Sequence, residues 1–564
     1  MTEKLAVQLE GWILSLMDTV DPWWFLIFGF ISFSLVLTGL SPLRDNGEMS
    51  SLDIIILWTR KSLLVAKASM IILFVGFILV GLKLFSSDFF DPLLSMIAKW
   101  WLYLIACIIV GAYSKFMFQR YLKPKLSELL KSFRVNQETD ELSDIEVEIT
   151  KNKAISHVPE NYEKEGFIFT GLNMNKEPQY IPIDVWIETH KSVIGATRYG
   201  KGLTYQVWSQ QSIKLGHSVF MINPKEDKFL PKIVEQEARK AGRRFIHLDL
   251  REQGNGKWSP FAGGSAQDRR TRFYAIMNML ATGTNADHYK SLAREVAFSV
   301  FKEGENLSLE SIYKAIKSNT KNEDNEKACS TVRADLQEWM ERKTLNPNRK
   351  GFSIERSLLE NAVVYVQGDL DDHIVKSATT AFVIELIQEA KRLKNERENH
   401  LSAYIDELRF LVSKPVFDAL ATIAGADVDL TVAFQNFGDL LNPDDKSLDG
   451  RALLAAIQTN CQVKMIFKVD DKDTAEFASE SSGTVQKKSV KFERTEVNRS
   501  GGEEWQNNRM IGETEEALIH DNTIRVLPKK VAAFYRPDHL AEIISVDAVP
   551  LEEQPSKDNT QAAE

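Results

Sequence analysis

The chain has 564 residues, 44% hydrophobic and 26% charged, with 69 Lys and Arg against 78 Asp and Glu for a net charge of −9. At roughly 150 residues per domain this length makes about four units with at least one large core, which excludes a wholly disordered chain or a fibre. An acidic total excludes nucleic-acid binding over the whole surface, and the widely spaced Cys107, Cys329 and Cys461 exclude a disulfide framework or a four-thiolate metal site.

Charge is unevenly spread along the chain. Residues 1–118 carry 17 charged side chains and the remaining 446 carry 130. No charge occurs from Pro22 to Leu43, and the run WWFLIFGFISFSLVLTGL (23–40) is apolar apart from Ser and Thr. Eighteen helical residues span roughly 27 Å, close to the roughly 30 Å of a hydrocarbon core. The runs 68–82 and 100–114 hold fifteen uncharged residues each, and Lys67, Lys83, Lys99 and Lys115 at their edges can snorkel to the headgroups. This predicts a transmembrane helical anchor over residues 1–120, with spans at about 23–40, 62–82 and 97–118. Arg60, Lys61 and Lys67 before the second span, and Lys115, Arg120, Lys123 and Lys125 after the third, place both ends of that hairpin in the cytoplasm. Residues 121–160, including the charged stretch QETDELSDIEVE (137–148), are expected to be a solvated linker, and the bulk of the chain beyond them cytoplasmic.

The stretch HKSVIGATRYGKGLTYQVWSQQSIKLG (190–216) predicts a short strand from Ser192 to Ile194, a glycine-rich loop and a helix. Small residues in such a loop let backbone N–H groups approach phosphate oxygens, and the helix N-terminus adds positive potential. The spacing is G-x-x-x-x-G-K, so the nucleotide-binding residues are Gly195, Ala196, Thr197, Arg198, Tyr199, Gly200, Lys201, Gly202 and Leu203, with Lys201 neutralising the β- and γ-phosphates of ATP. Gly202 stands where a Ser or Thr normally binds Mg²⁺. Thr204 lies two positions on and Thr197 within the loop, so that ligand is open.

Further along, residues 263–353 read as a helical insertion, with HYKSLAREVAFSVFKEG (288–304) and TVRADLQEWMERK (331–343) as its clearest patterns. LSAYIDELRFL (401–411) is an apolar strand ending in adjacent carboxylates. There Asp406 would hold Mg²⁺ through water and Glu407 would polarise the attacking water. LTVAFQNFGDL (430–440) is a strand followed by Gln435, a candidate sensor of the γ-phosphate as in RecA-like motors. Buried-strand patterns also occur at 218–223, 244–250, 361–368 and 462–469, with helical stretches between most of them. That alternation predicts a parallel sheet covered on both faces. The tail 549–564 has the composition of a disordered end.

With these motifs in this order, residues 60–545 resemble the type IV coupling protein family, the TraD/TraG-type motor ATPases of bacterial conjugation and type IV secretion. GFIFTGLNMNKEPQYIPIDVWIETHKSVIGATRYGKG is similar to the family's lead-in and phosphate loop, MINPKED (221–227) to its Asp-Pro-Lys segment with Asn223 in place of Asp, and KWSPF (257–261) to its Asn-Pro-Phe turn. IDEL (405–408), AFQNFGDL (433–440), TNCQVKMIFKVDDKDTAEFASESSG (459–483) and LIHDNTIRVLPKKVAAFYRP (518–537) continue the match, whereas ATIAGADVDL (421–430) lacks the Arg that many members carry before this Gly.

The resemblance implies a RecA-like P-loop nucleotide-binding domain at 161–262 and 354–548, interrupted by an all-α domain at 263–353. It implies catalytic roles for Lys201, Asp406, Glu407 and Gln435, with ATP and Mg²⁺ as cofactors. It further implies an inner-membrane homo-hexamer that takes single- or double-stranded DNA without sequence readout, together with relaxase and relaxosome proteins, to a type IV secretion channel. Arg409 and Arg451 lie in regions suited to an arginine contact with a neighbouring subunit. The alternatives are a membrane-tethered receptor that uses nucleotide only structurally, and a chromosome-partition translocase of the same superfamily.

Overall fold

The computed structural model describes residues 151–552, apart from 302–307, 347–350, 493–494, 498–502 and 506–508, together with scattered positions between 4 and 129. The expected spans at 23–40, 62–82 and 97–118 lie for the most part outside the described residues, and 131–150 of the linker lie wholly outside them. Among the described residues no helix is long and apolar enough to cross a membrane. The chain divides into two units, residues 1–140 with 486–515, and residues 141–485 with 516–564.

The larger unit is built on one eleven-stranded sheet. Its strands are β1 (Phe167–Asn173), β2 (Pro178–Pro182), β3 (Lys191–Ile194), β4 (Ser218–Asn223), β5 (Phe245–Asp249), β6 (Val363–Gln367), β7 (Leu401–Ile405), β8 (Val428–Phe434) and β9 (Val463–Ile466). After β9, the strands β10 (Thr484–Phe492), β11 (Thr495–Val497), β12 (Glu503–Trp505) and β13 (Arg509–Ala517) pair only among themselves, β10 with β13 and β11 with β12. Finally β14 (Val531–Tyr535) and β15 (Glu542–Ser545) rejoin the sheet, whose order is β2-β1-β15-β14-β9-β3-β8-β7-β4-β6-β5.

Seven strands from β9 to β5 run parallel, and β14, β15, β1 and β2 extend them antiparallel. The parallel part is apolar in continuous runs because both of its faces are covered. Along β4, Val219 and Met221 enter one core with Trp186, Trp208 and Tyr404, while Phe220 and Ile222 enter the other with Trp258, Phe382 and Leu430. The antiparallel extension was not legible from the lead-in and closing segments. The extension forms because β1 pairs with β15 across more than 370 residues of chain, which no local pattern records.

Between β5 and β6 the described chain has helices at Ala266–Ile276, Asp287–Phe298, Leu309–Asn319, Glu323–Glu341 and Ile354–Leu359, and no strand. Ser265 caps the first of these in a reciprocal box with Asp268, and Ser308 and Asn322 cap the third and fourth. Trp339 stacks on Phe261 at 5.9 Å and 22°, so these helices share one core with a face of the sheet. Residues 549–552, expected to begin a disordered tail, instead lie against the helix Leu230–Lys240. There Gln236 donates to Pro550 O at 3.0 Å and accepts from Glu552 N at 2.8 Å. Residues 553–564 lie outside the described residues.

At the N-terminal ends of β3, β7 and β8 a polar knot is sealed into the core. The Lys191 ammonium sits 2.8 Å from Asp429 Oδ2, both fully buried, and His400 Nε2 lies 2.7 Å from Asp429 Oδ1. Ser402 Oγ donates to the same carboxylate oxygen at 2.7 Å and contacts His217 Nδ1 at 3.0 Å. Burial keeps His190 and His217 neutral, pulling each down to about 4, while Lys191 and His400 outweigh burial and hold Asp429 well below the usual carboxylate range.

Candidate nucleotide-hydrolysis site

The loop between β3 and the helix Lys201–Lys214 opens at the C-terminal end of the parallel sheet, where open α/β sheets hold their ligands. Gly195, Arg198 and Gly200 have φ of 148°, 68° and 140°, which turns successive amides inward. Phe467, just past β9, packs under the turn. A Cβ at Gly195 would come within 2.6 Å of the Phe467 Cβ, and one at Gly200 would enter the Phe467 ring. Both glycines are therefore required by space as well as by conformation.

Gly195 N donates to Phe434 O and Ala196 N to Lys468 O, which pins the base of the loop to β8 and to the chain after β9. The N–H groups of residues 197–202 make no hydrogen bond among the described residues. Six adjacent unpaired donors at the start of a helix form a cradle with the chemistry of a phosphate site. Lys201 Nζ folds back onto Gly195 O at 2.7 Å, and burial lowers its pKa against the opposing pull of Asp406 and Glu407. The helix behind it is buried all round from Thr204 to Ile213, and Tyr205 OH fastens it to Ile405 O at 3.0 Å and Thr431 O at 3.3 Å.

Topology brings the other expected residues to this loop. β8 lies between β3 and β7, so Gln435 at the end of β8 and Asp406 at the end of β7 stand on the two strands next along from the loop's own strand. Burial, with Glu407 adding to it, pushes Asp406 up to about 6, while Lys201 pulls it down. Glu407 takes left-handed backbone angles (φ 50°, ψ 51°) and is buried. Its Oε1 accepts from Lys225 Nζ at 2.5 Å. Gln435 N donates to Asp439 Oδ2 at 3.0 Å, and Asn436 caps the helix Phe437–Leu441 that follows.

Of the two threonines near the open metal position, Thr204 is fully buried with its hydroxyl 3.4 Å from Gly200 O, and Thr197 is exposed in the loop. Arg409 Nη1 lies 3.3 Å from Asp439 Oδ1 of its own chain, and Arg451 is exposed at the start of the helix Gly450–Asn460. Sequence reasoning gave Lys225 and Asp227 no role. Their signal was the position of MINPKED at the end of a strand that proves to neighbour β7.

Residues 400–529 match the family described as the TraM recognition site of TraD and TraG. No curated protein matches the chain significantly. Among solved structures, the fold is similar to the bacterial conjugative coupling protein TrwB in its unbound form, with a TM-score of 0.53 at 16% identity over 70% of this chain and 92% of that one. Two further TrwB structures, one in complex with ADP and Mg²⁺ and one with a non-hydrolysable GTP analogue, give TM-scores of 0.51 at 16% and 15% identity. Each of them covers 72% of this chain, against 95% and 97% of theirs. The family match and the shared fold bear out the resemblance to the type IV coupling proteins.

Proposed function

We propose that this chain, a type IV coupling protein by its C-terminal family match and its fold, is an ATPase of the bacterial inner membrane that delivers a DNA–relaxase or effector substrate to a type IV secretion channel. The observation that carries this reading is the row of unpaired N–H groups at 197–202, with Lys201 among them and Asp406 and Glu407 close enough to act on its charge. The apolar runs at 23–40, 68–82 and 100–114 support a multi-pass anchor, and the helices between β5 and β6 support an inserted all-α domain over 263–353. The family match supports relaxosome partners, TraM-like proteins first, through residues 400–529. A homo-hexamer gripping the DNA backbone without reading bases accords with the chain's net acidity, since a ring confines positive charge to its lining.

The residues fit ATP and Mg²⁺, because the loop offers donors with no other partner and the facing groups are hard oxygen ligands. Mg²⁺ would supply charge neutralisation across the β- and γ-phosphates. Lys201 and the amides of 197–202 hold the phosphate oxygens and spread their charge. Asp406 accepts hydrogen bonds from water on the metal side. Glu407, once free of Lys225, takes the proton of the attacking water as that oxygen bonds to the terminal phosphorus and the bond to the leaving ADP oxygen breaks. Gln435 would sense loss of the terminal phosphate, and the helix Phe437–Leu441 follows it directly.

The test is ATP turnover by the full chain in detergent, with and without DNA. Wild type is expected to hydrolyse ATP faster with DNA, and Lys201→Ala to lose turnover by 10²-fold or more while still inserting in the membrane. A wild-type protein that binds ATP but never hydrolyses it would favour the receptor reading.

A further inference from the structure

Gly202 removes the hydroxyl that such a loop places on Mg²⁺, and the two nearby threonines do not replace it, one being buried with its hydroxyl turned back toward Gly200 and the other exposed. Asp227 stands opposite the gap. A Cβ built on Gly202 would lie 4.0 Å from Asp227 Oδ2, and that atom is the first thing such a side chain would meet. The other oxygen, Oδ1, caps the helix Leu230–Lys240 by accepting from Phe229 N at 2.8 Å and Leu230 N at 2.9 Å, which fixes the carboxylate's orientation. Oδ2 makes no hydrogen bond among the described residues.

Asp406 ends β7, the strand paired with β4, so two carboxylates from neighbouring strand ends stand at the start of the phosphate loop. Gly202 also leaves room there that a side chain would fill. A compact cation with oxygen ligands would satisfy both carboxylates at once.

We propose that Asp227 supplies the Mg²⁺ ligand that Gly202 lacks, so that the metal of the nucleotide is held from the loop after β4 rather than from the phosphate loop itself. The assignment rests on reading residues 195–203 as a nucleotide loop. It follows that Gly202 and Asp227 work as a pair, a larger side chain at 202 competing with the carboxylate for the same ion.

The experiment measures binding of a fluorescent ATP analogue to the full chain in detergent, in Mg²⁺ and in EDTA, for wild type, Asp227→Asn and Asp227→Asn with Gly202→Ser. Asparagine keeps the Oδ1 cap. The single variant is expected to bind as wild type does in EDTA and to lose at least tenfold of the tightening that Mg²⁺ confers, and the added serine to restore part of it. Mn²⁺ in place of Mg²⁺, followed by electron paramagnetic resonance in the presence of ADP, should show a changed metal spectrum for Asp227→Asn. Unchanged Mg²⁺ dependence and an unchanged Mn²⁺ spectrum overturn the assignment. Absence of nucleotide binding by wild type in either medium instead overturns the loop reading beneath it.

Discussion

Lys225 and Glu407 are joined by an ion pair, Nζ to Oε1 at 2.5 Å, in which the carboxylate is almost wholly buried and the ammonium partly exposed. The residue proposed to activate water is thus engaged by a cation from the neighbouring strand end. Removing the cation frees the carboxylate for its proton-accepting role at the cost of a buried, unpaired charge.

Lys225→Met is expected to raise ATP turnover measured without DNA several-fold and to shrink the stimulation by DNA. Glu407→Gln should lower turnover by about 10²-fold or more in both conditions. Turnover by Lys225→Met below that of wild type would show that Lys225 serves the chemical step instead of restraining it.

Asp406 is held up to about 6 by burial and the adjacent Glu407. A raised carboxyl disfavours the folded state as pH rises through the interval from its ordinary 3.8 to 6, so at pH 7 the charged group costs up to about 3 kcal/mol. Asp406→Asn should therefore raise the thermal midpoint of the nucleotide-free protein while abolishing turnover, a pairing of effects that calorimetry and an activity assay read together.

Gly200→Ala meets two obstacles, a φ of 140° and the Phe467 ring. The loop must shift, and ATP affinity is expected to fall more than tenfold. Phe467→Ala in the same background should recover part of the loss by removing the clash but not the backbone strain. Full recovery would show that space alone matters at this turn.

His190 and His217, both lowered to about 4 by burial, must protonate on unfolding in acid. Their folded pKa values lie below the unfolded one, so their contribution is present above about 6.5 and is lost as pH falls towards 4. From pH 7 to pH 5 each should cost about 2 kcal/mol, opposed by about 1 kcal/mol from Asp406. Urea unfolding at the two pH values measures the difference, and His217→Gln should remove about half of the histidine part.

The parallel core was legible because its central strands are largely apolar and bounded by turn residues, as in SVFMIN and NAVVYVQG. Lys201 could be named from the G-x-x-x-x-G-K spacing, and Asp406, Glu407 and Gln435 from their places at the ends of apolar strands, since a doubly wound sheet collects such ends along one edge. Lys225 and Asp227 were not, because their meaning depends on β4 lying beside β7, and strand order is not written in local pattern. The antiparallel strands β1 and β15 escaped for the same reason at longer range.

That pairing of β1 with β15 has a mechanical side. Ahead of β1, Ile155 N is held by Ser545 Oγ at 2.9 Å and His157 N by Asp547 Oδ2 at 3.1 Å. A pull on the chain before Ile155 is therefore borne in part by these contacts, at a point three strands distant from β3. The sheet's antiparallel margin takes the strain like the hem of a cloth, and the loop at Gly195–Leu203 is spared it.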